Sequence, residues 1–71
     1  MKFFYYEETD SLYIDLSEKT SIKSQEVAPG IVLDFDEKEK LVGIDIQHAS
    51  ENVNLTTLET DDIPIKKMFI Q

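Results

Sequence analysis

Three short apolar runs, Leu12 to Leu16, Ile31 to Phe35 and Leu41 to Ile46, carry large side chains at alternate positions and are separated by polar turns. A two-residue period is the spacing of a strand that buries one face, so a chain built on it folds as a small antiparallel sheet. Leu12, Ile14 and Leu16 define the inward face, with Ile31, Leu33, Phe35, Val42, Ile44 and Ile46 continuing it. Tyr13, Val32 and Leu41 fall on the opposite face, together with two of the four aromatics Phe3, Phe4, Tyr5 and Tyr6. An apolar second face on so small a sheet predicts a contact with protein, the alternative being a cover formed by the chain's own tail.

The 71 residues suffice for one domain with one core. Burying a large side chain yields about 1.5–3 kcal/mol and ordering each residue costs about 1.5 kcal/mol, so a chain of this size gains little on its own. Small domains usually add a staple. Disulfides are ruled out by the absence of cysteine, and the Cys/His spacing of a structural zinc site is missing as well. Self-association is the remaining common remedy, and a homodimer is the expectation.

Absence of cysteine and a start, MKFFYYEETD, without the features of a secretory signal give cytoplasmic as the expected location. No apolar run approaches the ~20 residues that cross a bilayer, which argues against a membrane role. The net charge is -8 and all seven basic residues are lysine. Such a surface repels a phosphate backbone and has no arginine to grip it, so nucleic acid is not an expected partner. The acidity suits a solvated surface, or one complementary to a basic protein.

Along the chain, Lys2 to Tyr6 reads as a first strand, and Glu7 to Ser11 as the turn into a second, Leu12 to Ser17. After a polar loop, Ile22 to Val27 is a weaker strand whose Lys23, Ser24, Gln25 and Glu26 suit a lightly covered position. In Ala28-Pro29-Gly30-Ile31 the proline and glycine fit the second and third positions of a type II turn. Charged Glu37 to Lys40 connects the last two strands, and Gly43 predicts a bulge or the close approach of another backbone. Ser50 and Glu51 suit the start of a helix through Val53 to about Leu58, although Asn52, Asn54, Thr56 and Thr57 are poor helix formers. Ile63 to Ile70 is apolar enough to dock as a helix, a strand or an arm.

The succession Asp10-Ser11-Leu12-Tyr13-Ile14, Glu26-Val27-Ala28-Pro29-Gly30-Ile31 with Leu33-Asp34 and Asp36, and Leu41-Val42-Gly43-Ile44-Asp45-Ile46 with Ala49-Ser50 resembles a small prokaryotic family, domain of unknown function 2283. The resemblance spans about Tyr6 to Ser50 and implies a short meander sheet. This chain departs from the family in lacking a glycine between Asp36 and Leu41, and at Asp45, Gln47 and His48. The resemblance implies no activity, cofactor or catalytic residue. Relatives encoded beside presumed toxin genes make an antitoxin-like role its one functional suggestion, by association alone.

Candidate chemistry is sparse. Asp34 and Asp36 begin a calcium-loop spacing, but Lys38, Glu39 and Asp45 occupy positions where the loop needs a ligand, a glycine and a glutamate, so no metal is expected. His48, the single histidine, would need Asp34, Asp36 or Asp45 to orient it as a base, and this small-molecule or hydrolytic site is the alternative reading. Asp10 is expected to cap its turn by accepting backbone N–H bonds, or, beside Tyr6 and Tyr13, to receive a polar ligand group. The expected molecule is an α+β protein of one domain, residues 1–71. A meander of about five strands over 1–48 precedes a helix or arm over 49–71. It needs no cofactor and catalyses nothing, and it serves as an interaction module through Tyr13, Val32 and Leu41.

Overall fold

A computed structural model describes residues 1–70. Five strands form one antiparallel sheet: β1 (Lys2–Tyr6), β2 (Ser11–Asp15), β3 (Lys23–Ala28), β4 (Ile31–Phe35) and β5 (Leu41–Ile46). One short helix follows, α1 (Ala49–Asn52), and no regular element comes after it among the described residues. The protein is therefore mostly β, and the expected α+β class holds only in the sense that one helical turn is present.

The strand order is β1-β2-β5-β4-β3, which corrects the expected simple meander. β1 and β2 form a hairpin and β3, β4 and β5 a meander, with β2 docked against β5. Residues 16–22 carry the chain across one end of β5 and β4, a lateral distance of about 14 Å that seven extended residues easily span. Both ends of the crossing are pinned, Leu16 N–H to the Val42 carbonyl (2.9 Å) and Ile22 N–H to the Phe35 carbonyl (2.8 Å). Burial explains the order. Val42-Gly43-Ile44 is the strand segment best suited to cover on both sides and lies in the centre, whereas polar β3 goes to an edge.

Directly opposed residues share a face, so the register assigns the two surfaces. Phe3, Tyr5, Leu12 and Ile14 on the hairpin continue into Ile44 and Ile46 and then Ile31 and Leu33. The other face carries Lys2, Phe4 and Tyr6, then Tyr13 and Asp15, then Gly43 and Asp45, then Val32 and Asp34, and at the β3 edge Ser24 and Glu26. Carboxylates make this second face far less apolar than the sequence pattern suggested. A register break between Asp34 and Phe35 leaves Val42 unopposed and sets Leu41 across from Phe35, away from its expected place beside Tyr13 and Val32.

The turns follow from their residues. Gly30 has φ +78, which Pro29-Gly30 requires for a type II reversal, and the register break between Glu26 and Ala28 accommodates the twist such a turn does not match. In the β4–β5 turn the Asp36 N–H donates to the Lys40 carbonyl (2.9 Å), and the Glu39 N–H donates to the Asp36 carbonyl (3.0 Å). Glu39 stands there at φ +61.

The expected helix, capped by Ser50 and running through Val53 to about Leu58, is corrected to a single turn. α1 ends at Asn52, with His48 in its N-cap position at φ +50 and no side-chain cap. The Asn54 side-chain oxygen accepts the Thr56 N–H (3.0 Å) and hydroxyl (2.6 Å), a local turn that competes with helix. Beyond it Leu58, Met68, Phe69 and Ile70 are exposed, so the tail does not hide its own apolar side chains. Among the described residues the fully covered apolar ones are few, Val42 (3% exposed), Ile46 (9%) and Ala49 (0%), and no large side chain is completely buried.

Candidate functional site

Three polar arrangements organise the sheet, and each begins with an aspartate. On the carboxylate-bearing face Tyr13 stretches from β2 over Gly43 of β5 and donates its hydroxyl to Asp34 Oδ2 (2.9 Å) on β4. Ser24 on β3 donates to Asp34 Oδ1 (2.6 Å), so one chain of contacts ties four adjacent strands. Gly43 makes this possible: a Cβ there would lie 2.0 Å from the Tyr13 hydroxyl oxygen. Of the two expectations at Gly43, the bulge lies beside it at Val42, and the close approach is that of a side chain instead of another backbone. Burial first, and then the neighbouring Asp34 carboxylate, push the Tyr13 hydroxyl up to about 12.

Asp10, at φ +50 in the β1–β2 turn, joins the hairpin to α1. Its carboxylate accepts the Ser50 hydroxyl (2.7 Å), the Ser50 N–H (3.1 Å) and the Tyr5 hydroxyl (2.7 Å), and its carbonyl accepts the Ala49 N–H (2.8 Å). The bonds with Ser50, and next that with Tyr5, hold the Asp10 carboxyl below its ordinary value. The backbone N–H that the side chain takes comes from 40 residues away, not from its own turn. The tyrosine it engages is Tyr5; Tyr6 pairs with Ser11 on the other face, and Tyr13 is held by Asp34.

Asp36 is the one buried charged residue among those described. Its Oδ1 accepts the N–H groups of Lys38 (2.8 Å) and Lys40 (2.9 Å), and the Lys40 bond above all lowers its pKa. Asp34 and Asp36 therefore serve strand and turn, on different structural duties. His48 makes no side-chain hydrogen bond with Asp34, Asp36 or Asp45 among the described residues; the carboxylate it influences is Asp10. Among the described residues no three His, Cys, Asp or Glu side chains converge as metal ligands, and no helix is long and apolar enough to cross a membrane.

What remains accessible is apolar surface. β2 and β4 are half-buried throughout, β1 is exposed throughout, and Tyr13 and Val32 keep partial exposure between Asp15, Asp34 and Asp45. The sequence missed the Tyr13–Asp34–Ser24 chain and the Asp10–Ser50 clasp. A tyrosine facing a strand glycine was the available signal for the first; the second spans 40 residues and leaves no local pattern. Neither a curated protein nor a solved structure matches this chain. The model of the family described as Protein of unknown function (DUF2283) matches residues 2–50, which covers the whole sheet and the start of α1, and the chain belongs to that family.

Proposed function

We propose that this protein is a non-enzymatic interaction module that associates with itself, as a homodimer, and meets other proteins through the same kind of apolar surface. Exposed area carries the reading. The chain presents 6243 Å² to solvent, whereas a folded chain of its mass exposes about 4,500 Å². The difference, about 1,700 Å², is more than the roughly 800 Å² that each partner contributes to an ordinary stable interface. A radius of gyration of 13.0 Å, against about 11 Å for a compact chain of this length, has the same causes: a single sheet layer and an exposed, irregular segment after Asn52. The covering partner is a second copy, because a core this small gains stability from any copy that removes the excess from water.

Tyr13, Val32 and Leu41 are not the centre of this surface, since carboxylates flank the first two and Leu41 stands across from Phe35. The aliphatic face and the aromatic β1 are better suited. A net charge of -8 adds a preference for a basic partner protein, and an antitoxin-like role is one form such a contact would take. Lack of cysteine suits such a module to the reducing cytoplasm. Urea unfolding tests the reading. If association and folding are linked, the midpoint rises with protein concentration; a midpoint that does not move between low and high micromolar concentration contradicts it.

A further inference from the structure

The two edges of the sheet are built differently, and the difference points to where the second copy sits. β3 carries the features that block edge-to-edge pairing: Lys23 and Glu26 within the strand, a register break between Glu26 and Ala28, and Pro29 directly after it. β1 has a charge only at its first residue, Lys2, and has no register break and no proline beside it. It is an unbroken run, Lys2-Phe3-Phe4-Tyr5-Tyr6, paired with β2 residue for residue along its length, and its four rings are each 41–54% exposed. A long, regular, aromatic edge is a template for another strand, and its outward N–H and C=O groups are left to solvent in a lone protomer.

We infer that two copies of this protein pair through β1, antiparallel about a twofold axis, to form one continuous ten-stranded sheet. The inference rests on the self-association proposed above and gives the geometry of its β1 contact, which covers the aromatic edge and leaves the joined aliphatic face open to the other proteins proposed there. An axis near Phe4, the middle residue of β1, sets Phe3 opposite the partner's Tyr5 and Lys2 opposite the partner's Tyr6. Each face of the joined sheet then gains cross-strand aromatic pairs, and the aliphatic faces of the two copies become contiguous. Charge selects the same direction. β1 has Lys2 at one end and is followed by Glu7-Glu8 at the other, so antiparallel pairing sets lysine near glutamate, whereas parallel pairing would stack like charges.

The test combines assembly mass with intermolecular contacts in the full chain. Equal amounts of isotope-labelled and unlabelled protein are mixed, and contacts between labelled and unlabelled copies are read by filtered nuclear Overhauser spectroscopy, alongside sedimentation of the same sample. Contacts running from β1 to β1 in a dimer support the inference. A dimer whose contacts join β3, the sheet faces or the tail overturns the edge pairing and leaves self-association standing; a monomer at every concentration overturns both. Charge reversal gives a second readout that does not depend on folding defects. Lys2→Glu should weaken the dimer about fivefold, as losing one exposed ion pair on each side of the axis implies, and adding Glu8→Lys, two positions beyond the Tyr6 that Lys2 opposes, should restore it. Loss without restoration, or no loss, contradicts the antiparallel direction.

Discussion

At the scale of single residues, this sheet is held by contacts that only particular side chains can make. Gly43 is the sharpest case. In Gly43→Ala the new Cβ would overlap the Tyr13 ring and force it off Asp34, and overpacking of this kind costs about 1–3 kcal/mol. Most of that loss should disappear when Gly43→Ala is made in a Tyr13→Ala background, a non-additivity that urea unfolding of the four proteins reads directly. Additive losses would mean that the ring is not what excludes a side chain there. Tyr13 also sets an alkaline limit. With its hydroxyl pushed up from 10.0 to about 12, the folded protein keeps a proton there that the unfolded chain releases. Its contribution is whole below pH 10 and is lost as pH rises toward 12. Phenolate absorbance should show a tyrosine that ionises near 12 and vanishes in Tyr13→Phe.

Asp36 sets the acid limit by the opposite sign. Its lowered pKa means that its contribution is present above the ordinary value of 3.8 and is lost as pH falls below it. Asp36→Ala should therefore reduce stability at neutral pH and flatten the dependence on acid, checked by thermal unfolding at a series of pH values. Glu39 offers the converse change. Its φ of +61 is a conformation that a side chain makes costly, so Glu39→Gly should stabilise the turn by about 0.5–1 kcal/mol. A destabilised variant would mean that the Glu39 side chain contributes more than its backbone strain costs.

At the scale of elements, the strands were legible in the sequence and their arrangement was not. Alternation at Leu12–Ile14, Ile31–Phe35 and Val42–Ile46 depends on local backbone geometry, so it can be read residue by residue. The docking of β2 on β5 depends on which strands gain most from central burial, a comparison across 30 residues of chain. A bulge moves a residue without changing composition, which is why Leu41 could not be placed from alternation alone. The same limit hid the Asp10–Ser50 clasp, although the polar turn that holds Asp10 was evident. Ser50→Ala removes the hydroxyl that donates to Asp10 and should speed amide exchange in α1 while leaving β4 and β5 protected, as expected of a local clasp. Equal loss of protection across the sheet would make the clasp part of the global fold instead.

At the scale of the whole molecule, a single layer of sheet with an apolar tail is an incomplete protein in water. The family match, residues 2–50, covers the layer, and the aromatic edge of β1 is where the proposed second copy would continue it. Two copies bring together a charge of -8 each, so their repulsion opposes association at low ionic strength. The dimer should therefore tighten as salt is added, whereas an interface dominated by ion pairs would loosen. The most direct test of self-association is the mass in solution, measured by multi-angle light scattering over a concentration series at near-physiological salt. A mass rising to twice 8.2 kDa is the predicted result; a mass that stays at 8.2 kDa at every concentration would contradict it.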